Sequence, residues 1–414
     1  MIKRKLFDEL IKHLSKKEIS FIVGPRQAGK TTLMLMLKDY LEKRDERALF
    51  LNLDIERDKE YFASQAKLIS KVELELGKQG GYVFIDEIQR KEDAGLFLKG
   101  IYDMRLPYKF LVSGSGSVEL KEKVHESLVG RKRVFELSTL SFMEFVHFRT
   151  GYQYEDRITD FFAVEEERVD DLVNEYLGFG GYPRVVLESE LAEKQKLINE
   201  IYQSYIERDI AYLLNVHKVE AFSNLVKVLA AQSGKIVNFS ELSSTLGIAS
   251  TTLKAYLWYL EKTFIVQRVP PYFRNIRKEI TKAPIYYFYD LGLRNFALGQ
   301  FGSHFDKGFV FQNFVFRLLK EEVEGSAAKI GFWRTKDKAE VDFVIDFGAF
   351  QLPIEVKYRM SKPGITRALR SFIEKYRPGK AIVVNMSLNA TVNFGSTTIH
   401  VIPFYHLSLD SILD

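Results

Sequence analysis

Residues 24–31 are the first whose types and spacing could do chemistry. They read Gly24-Pro25-Arg26-Gln27-Ala28-Gly29-Lys30-Thr31, followed by Thr32, and satisfy the pattern G-x-x-x-x-G-K-[ST]. Backbone N–H groups of such a loop point inward at phosphate, and the positive end of the following helix adds to the attraction. Lys30 can reach the β- and γ-phosphates, and the Thr31 hydroxyl can ligate Mg²⁺. The alternative is a glycine-rich turn without a ligand, but the apolar strand before it and the amphipathic helix after it favour a phosphate site.

Two acids at the end of an apolar segment supply the second part of this chemistry. The segment 82–85 is apolar, and Asp86 and Glu87 follow it. Open α/β folds bind ligands at the carboxyl ends of their strands, which is where these carboxylates would lie. We expect Asp86 to hold Mg²⁺ through its water shell and Glu87 to polarise the attacking water, which favours hydrolysis over transfer to a small acceptor. Taken alone, the pattern also fits a solvated strand end without a catalytic role.

The first 140 residues must position these side chains. Short apolar runs alternate there with longer amphipathic stretches; the runs begin at Ile19, Ala48, Tyr82, Phe110 and Val134. Such alternation predicts a parallel sheet covered by helices on both faces. From about residue 141 the pattern becomes helical, and a second mixed α/β pattern begins at Phe309, with strands expected at 341–345, 353–356 and 381–384.

Composition restricts the class of protein further. The chain has 414 residues, of which 46% are hydrophobic and 28% charged, as in a globular protein of several domains. No apolar run is long enough for a membrane span, and Asp8-Glu9 stands where a signal peptide has its apolar core. The absence of cysteine excludes disulfides, thiolate metal sites and cysteine nucleophiles, and we expect a reducing, cytoplasmic setting. The net charge of +5 permits a nucleic-acid partner without requiring one.

Hydroxyls and arginines lie near the ends of two other predicted elements. The strand 110–112 is followed by Ser113 and Ser115, which offer hydroxyls near the γ-phosphate. Arg131 and Arg133 close a helix just before the last strand, away from their own phosphate loop. Arg131 is therefore a candidate to act on the site of a neighbouring subunit. The alternative is an ordinary cationic helix terminus, which the helix dipole favours.

A helix–turn–helix pattern surrounds Gly247, which supplies the turn. Ser240 and Ser250 are the expected N-caps of the two helices. Leucines form the apolar face between the helices. Thr251 and Lys254 are expected to point outward on the second helix, where they would contact DNA.

The segment after this helix pair is predicted as a β wing, so the region resembles a winged helix. Its basic residues Arg274, Arg277 and Lys278, beside Tyr272, suit contact with phosphate and sugar. Residues 215–282 hold ten Lys and Arg against four acids, a net +6 against +5 for the whole chain. This concentration favours DNA as partner. The alternative is a protein-docking module with an ordinary solvated face.

The C-terminal segment contains a second group of charged residues with metal-site spacing. Asp342 lies on one predicted strand, and Glu355 and Lys357 share a face of the next. Two carboxylates on one Mg²⁺ with a lysine beside them suit phosphodiester hydrolysis, and the arrangement resembles the PD-(D/E)xK nuclease fold. Such domains often carry a glutamate on the preceding helix, where this chain has Gln312. The lost charge weakens the expected Mg²⁺ site and slightly favours a fold that binds nucleic acid without cleaving it.

Together these segments resemble the AAA+ ATPase superfamily, in particular a prokaryotic group with a restriction-endonuclease-like C-terminal domain. The resemblance spans nearly the whole chain and includes residues 180–184 and 205–210. It implies a helical lid, Arg131 as an arginine acting in trans, and Ser113 or Ser115 as the sensor hydroxyl. It also suggests Arg184 as a lid arginine at the nucleotide, although a structural role in its turn is equally compatible.

The predicted fold class is α/β: a P-loop AAA+ parallel sheet with a helical lid, a winged helix-turn-helix and a C-terminal restriction-endonuclease-like α/β domain. We place these units at residues 1–140, 141–214, 215–285 and 286–414. The expected function is Mg²⁺-dependent ATP hydrolysis coupled to DNA translocation or remodelling by a homo-oligomeric ring, without a membrane partner. The alternative is a slow nucleotide-gated switch that recruits a protein through the winged helix, or holds DNA, without motor activity.

Overall fold

The computed structural model describes most of the chain. The described residues are 2–115, 128–205, 219–273, 279, 282–303, 306–335 and 339–408, with the side chain of Ser115 left out. Within these ranges no helix is both long and apolar enough to cross a membrane. The predicted DNA contacts Arg274, Arg277 and Lys278 lie outside the described residues.

The first 136 residues form a parallel sheet between helices, as predicted. In its described part the sheet has five strands in the order β2-β3-β4-β1-β5, all parallel. The strands are β1 (Ile19–Gly24), β2 (Ala48–Asn52), β3 (Gly81–Asp86), β4 (Tyr108–Ser115) and β5 (Lys132–Glu136). The helices are α1 (Lys5–His13), α2 (Lys30–Glu42), α3 (Glu56–Lys59), α4 (Gln65–Leu76) and α5 (Ala94–Asp103). Buried apolar clusters cover both faces of the sheet. The strand order places the ends of β1 and β3 on either side of the end of β4.

A helical segment follows the sheet. It comprises α6 (Phe142–Arg149), α7 (Ile158–Val164), α8 (Glu166–Phe179), α9 (Pro183–Leu187), α10 (Leu191–Gln203) and α11 (Val219–Ala231). A capping box fixes the start of α6: the Ser141 hydroxyl accepts from the Glu144 N–H, and the Glu144 carboxylate accepts from the Ser141 N–H.

The helix–turn–helix is made by α12 (Phe239–Leu246) and α13 (Ser250–Lys262), joined through Gly247 at φ +60°. The predicted N-caps are wrong by one or two positions. The side chain of Asn238 caps α12, and Ala249, which has no capping group, precedes α13.

The strand after the helix pair, β6 (Val266–Val269), finds a different partner from the predicted one. It pairs antiparallel with β7 (Ile285–Phe288), and not with residues 272–278. Tyr272, expected on the wing surface, is buried instead against the C-terminal sheet, with its ring centroid 5.6 Å from that of Tyr376. The prediction that Tyr272 lies on a DNA-facing wing is therefore wrong, because its large apolar ring is buried in this cluster.

The C-terminal unit, residues 307–408, is a mixed sheet with helices. After α14 (Leu291–Ala297) come α15 (Lys307–Glu322) and α16 (Arg367–Tyr376). The strands are β8 (Lys329–Arg334), β9 (Glu340–Asp346), β10 (Gln351–Val356), β11 (Lys380–Asn385), β12 (Ala390–Phe394) and β13 (Thr397–Pro403). Within the described ranges their order is β12-β13-β11-β10-β9-β8, with β10, β11 and β13 mutually parallel.

One hydrophobic cluster joins helices α6–α8 to the C-terminal unit. Phe142 of α6 stands edge-on to Phe314 of α15 and to Phe404, with ring centroids 5.1 and 5.5 Å apart. All three rings are 2% exposed or less. Truncating one such ring costs about 3–5 kcal/mol, so these helices are firmly attached to the C-terminal unit.

Candidate nucleotide-binding site

The loop 24–31 connects β1 to α2 and turns tightly at its first glycine. A Cβ on Gly24 would lie 1.9 Å from the carbonyl oxygen of Leu137, so a larger residue cannot occupy this position without moving the backbone. Lys30 is buried at the start of α2, and its ammonium donates to the carbonyls of Gly24 and Pro25 at 3.1 and 2.8 Å. The chain therefore holds its lysine over the loop, where phosphate oxygens would be expected.

Asp86 lies at the centre of a group of polar side chains. The Thr31 hydroxyl donates to Oδ2 of Asp86 at 2.6 Å, and the buried Ser113 hydroxyl donates to Oδ1. Asp86 is fully buried at the end of β3. Because β4 runs between β1 and β3, it delivers Ser113 between the loop and the acid. Hydroxyl and carboxylate oxygens suit Mg²⁺, so Thr31 and Asp86 fit the role of holding it.

Only one of the two serines predicted near the phosphates can be described by its side chain. Ser113 contacts Asp86 directly. Ser115 pairs in register with Gly24, at the first residue of the loop, and its side chain lies outside the described part. The prediction for Ser115 therefore stays open.

Glu87 is held in an unfavourable backbone conformation beside Asp86. Its φ of +57° lies in the left-handed region, which costs a non-glycine residue about 1–3 kcal/mol and is typical of functional sites. Burial raises the pKa of the Glu87 carboxyl, the charge of Asp86 adds to this, and the charge of Lys30 opposes it. Gln89 donates a hydrogen bond to the Glu87 carboxylate. A partly buried carboxylate with a raised pKa is suited to accept a proton from water.

The loop and Glu87 line a cavity of about 550 Å³. The other walls come from the chain start, from Asp54 and Arg90, and from α9. The predicted residues Arg26, Gln27, Ala28, Gly29, Lys30, Thr31, Thr32, Glu87 and Arg184 are among those that line it. A volume of this size falls within the usual range for small-molecule sites. The motifs thus converge on a single cavity.

Arg184 enters this cavity from α9. Its Nη1 donates to Oε1 of Gln27 at 3.0 Å and to Oε2 of Glu200 at 3.2 Å. Asp290 holds the turn before α9 in place, because its carboxylate accepts a hydrogen bond from the N–H of Gly181 at 2.8 Å. A Cβ on Gly180 would lie 2.3 Å from Oδ1 of that aspartate. The glycines of this turn therefore allow the approach that positions Arg184.

Arg4 is a part of the site that the sequence did not reveal. Its guanidinium donates to the carbonyls of Ala28 and Ser138 at 2.9 and 2.7 Å, and to the Glu144 carboxylate at 3.2 Å. The side chain is largely buried. In sequence it is one cation in a basic start, and no local pattern distinguishes it from its neighbours.

Arg131 lies at the amino-terminal end of β1, whereas the phosphate loop follows the carboxyl-terminal end of that strand. Its carbonyl accepts from the N–H of Ile19, the first residue of β1. Its guanidinium pairs with Asp103 at 2.8 Å. Six residues of strand span roughly 20 Å, so Arg131 is far from the cavity of its own chain. A role in trans stays a prediction.

The described DNA-binding candidates lie on the outer face of α13. Thr251 and Lys254 are both exposed, while Leu253 and Leu257 of the same helix are buried. The helix thus presents the predicted polar face to solvent.

Four polar residues meet in the C-terminal unit. Asp342 accepts from Nε2 of Gln312 at 2.8 Å and from the N–H of Val356 at 2.7 Å. Glu355 pairs with Lys357 at 2.8 Å. Burial raises the pKa of Asp342 to about 7, and the charge of Glu355 adds to this effect.

Asp342 is thus bonded to Gln312 and lies close enough to Glu355 for the two charges to interact, whereas a shared Mg²⁺ site stays a prediction. Gln312 directs an amide N–H at the carboxylate that a metal would need. Across the described ranges, no group of three or more His, Asp or Glu side chains is arranged to hold a metal ion.

The loop 24–31 between a strand and a helix, with the Thr31–Asp86 contact beside it, has the form of a P-loop nucleotide-binding domain. Residues 16–146 match the family model described as an AAA domain. Residues 170–304 and 307–407 match two further models, each described as a domain of unknown function.

Similar proteins occur in bacteria and archaea. An uncharacterized protein of Haemophilus influenzae is 27% identical over 83% of this chain and 84% of its own length. An uncharacterized protein of Mycobacterium tuberculosis is 26% identical over 90% of this chain and 77% of its own. One from Methanocaldococcus jannaschii is 24% identical over 96% of this chain and 89% of its own.

Two solved structures show partial similarity to this chain. The ORC1 protein of Aeropyrum pernix in complex with DNA is 12% identical, with a TM-score of 0.32 over 72% of this chain and 92% of its own. AMPPCP-bound DnaA of Aquifex aeolicus is 15% identical, with a TM-score of 0.27 over 62% of this chain and 86% of its own. Scores below 0.5 do not establish a common overall fold.

Proposed function

We propose that this protein is a Mg²⁺-dependent ATPase of the AAA+ type. The observation that carries the proposal is the 2.6 Å contact between Thr31 and Asp86 beside Lys30 and Glu87, at a single cavity of about 550 Å³. A phosphate-binding loop with a carboxylate and a poised base suits hydrolysis of a nucleoside triphosphate.

Each residue has a distinct task in this proposal. Lys30 and the loop N–H groups hold the β- and γ-phosphates, while Thr31 and Asp86 hold Mg²⁺, which neutralises phosphate charge when bound. Glu87 accepts the proton of the attacking water. Ser113 keeps Asp86 oriented, and Arg184 supplies positive charge from the helical segment.

ATP hydrolysis by the purified protein tests these tasks. Lys30→Ala should abolish nucleotide binding, because it removes the cation at the phosphates. Glu87→Gln should retain bound ATP and lose turnover, because an amide cannot accept the proton. Wild-type turnover by Glu87→Gln would contradict the role given to Glu87.

We further propose that the protein binds DNA and couples hydrolysis to its translocation or remodelling. Support comes from the exposed polar face of α13 and from the net +6 of residues 215–282. Lys254→Gln should weaken DNA binding and reduce its salt dependence by about one counterion. Lys196→Gln, which removes another exposed lysine outside this region, is the matched control. An unchanged salt dependence in Lys254→Gln would contradict this contact.

The second candidate is a nucleotide-gated switch that hydrolyses ATP slowly and holds DNA or recruits a protein. The cluster around Phe142 and Phe314 favours it, because helices attached to the C-terminal unit have less freedom to move in each cycle. The ATPase rate with single strands, duplexes, forks and junctions distinguishes the two. A motor predicts a steep rise with one of these DNA structures, and a flat response would favour the switch.

A further inference from the structure

A chain of hydrogen bonds joins the phosphate loop to α15 of the C-terminal unit. On one side, Arg4 donates to the carbonyl of Ala28 in the loop and to the carbonyl of Ser138. On the other, Arg317 of α15 donates from Nη2 to the hydroxyl of Ser138 at 3.1 Å. Ser138 thus accepts from two guanidinium groups, one fixed at the loop and one at a helix about 180 residues later in sequence.

The guanidinium of Arg317 is buried with few polar partners among the described residues, which is energetically unfavourable for a cation. Its side chain is 7% exposed, and the nearest carboxylate, that of Glu321, is 3.7 Å away. Its Nε has no hydrogen-bond partner within the described ranges. A buried cation with incomplete partners contributes less to stability than well-packed apolar groups would. We therefore expect Arg317 to contribute less to stability than to holding Ser138 in place.

Other residues of α15 contact two further parts of the protein. Asn313 accepts from the N–H of Phe288 on β7 at 2.9 Å and from the hydroxyl of Ser233 at 3.1 Å. Gln312 donates to Asp342. The helix that contacts Ser138 through Arg317 thus also contacts β7, the segment after α11 and the C-terminal polar group.

We propose that Arg4 and Arg317 are positioning residues of the phosphate loop, so that α15 sets the affinity of the loop for ATP. This rests on the proposed function, in which the loop binds ATP. Arg4 holds a loop carbonyl and the carbonyl of Ser138, and Arg317 holds the Ser138 hydroxyl, so displacing α15 loosens the residue that anchors Arg4 beside the loop. By linkage, nucleotide at the loop stabilises the docked position of α15 by the same factor.

Titration of the full-length protein with mant-ATP and Mg²⁺ tests this proposal. Arg317→Lys and Ser138→Ala each disrupt the hydrogen bond between Arg317 and the Ser138 hydroxyl and leave the Arg4 bonds in place, and each should raise the Kd about three- to tenfold, the effect of one buried hydrogen bond. In steady state the KM should rise while kcat at saturating ATP stays unchanged, which a general loss of structure would not produce. Ser326→Ala, a serine shortly after α15 whose hydroxyl bonds locally to Val323, is the matched control and should bind as wild type.

The double variant Arg4→Lys/Arg317→Lys examines the connection itself. If the two arginines act through Ser138, its Kd should rise by less than the product of the single effects. Wild-type Kd values in Ser138→Ala and Arg317→Lys, or independent effects in the double variant, would overturn the proposal. If Lys30→Ala meanwhile loses binding, the proposed function stands. If the wild-type protein itself does not bind mant-ATP, the proposed function and this proposal both fail.

Discussion

Nη1 of Arg184 lies 3.0 Å from Oε1 of Gln27, so a side chain of the helical segment touches the phosphate loop directly. Gln27 itself stands at φ +58°, in the left-handed region that non-glycine residues seldom adopt. The contact joins two segments 157 residues apart in sequence at the mouth of one cavity.

Arg184→Ala should raise the KM for ATP about tenfold, because a cation leaves the cavity, an effect of roughly 1.4 kcal/mol. Stability should change little, since Arg184 and its partner Glu200 are both more than half exposed. Steady-state ATPase measurements check this. Arg359→Ala, which breaks an exposed ion pair with Asp170, is the control. An unchanged KM in Arg184→Ala would leave Arg184 with only a structural role in its turn.

The pH dependence of turnover should report Glu87. Glu87 must be deprotonated to accept a proton, so kcat rises as the pH rises through its pKa, which burial places above the ordinary value. The hydrogen bond from Gln89 lowers this pKa, so Gln89→Ala should move the acid limb of kcat to higher pH. Gln65→Ala, which loses a glutamine bond to the carbonyl of Phe97, should leave the limb in place. An acid limb that stays in place in Gln89→Ala would argue against Glu87 as the base.

Mixing two inactive variants tests the role of Arg131 in trans. Lys30→Ala lacks a working phosphate loop, and Arg131→Ala lacks the arginine at the other edge of the sheet. In a ring, a mixed interface can join an intact loop to an intact Arg131, so the mixture should regain part of the ATPase activity. Activity is measured against total protein concentration. No recovery at high concentration would argue against the role in trans.

Gly180→Ala should destabilise the protein more than a glycine substitution in open space. A Cβ at Gly180 would lie 2.3 Å from the Asp290 carboxylate, in addition to the strain of φ +74°. At Gly299, with φ +68°, a Cβ meets nothing within 4 Å. We expect about 1–2 kcal/mol for Gly299→Ala and about 1–3 kcal/mol more for Gly180→Ala, by denaturant unfolding. Equal losses would mean that Asp290 does not constrain the turn.

Gln312→Glu should create a tighter Mn²⁺ site in the C-terminal unit. The substitution replaces an amide donor at Asp342 by a third carboxylate, the kind of oxygen donor that hard cations prefer. Calorimetric titration with Mn²⁺ in a Lys30→Ala background measures it without nucleotide. Gln351→Glu, at a glutamine that likewise donates to an aspartate, Asp346, is the control. If the Lys30→Ala protein that retains Gln312 bound Mn²⁺ as tightly as the Gln312→Glu variant, the amide at Asp342 would not be what weakens the metal site.

Local patterns predicted the parts of the site that lie close together in sequence. The loop around Lys30 and the acids after residue 85 follow short motifs, and alternation of strands and helices predicted the parallel sheet. Arg4 escaped prediction because its role depends on contacts with Ser138 and Glu144, more than 130 residues away. Ser113 and Ser115 share a face of one strand, so the sequence could not choose between them.

The errors in the helix–turn–helix region have a similar origin. Ser240 has the right chemistry for an N-cap, but Asn238 lies two residues earlier and its side chain reaches the free N–H groups. Tyr272 resembles a surface aromatic in sequence, and only the packing of Trp333 and Phe372 around it reveals its burial. Strands β8, β12 and β13 were not predicted either, because the sheet pairs them with distant segments.

The shared cluster of α6–α8 and the C-terminal unit bears on how the chain is made. A ribosome synthesises Phe142 about 260 residues before Phe404, which covers it. The parallel sheet can close as soon as β5 has emerged, whereas α6–α8 must wait with an aromatic face uncovered until Phe404 has been synthesised. This interval is when the nascent chain is most exposed to aggregation, and when it would most depend on chaperones.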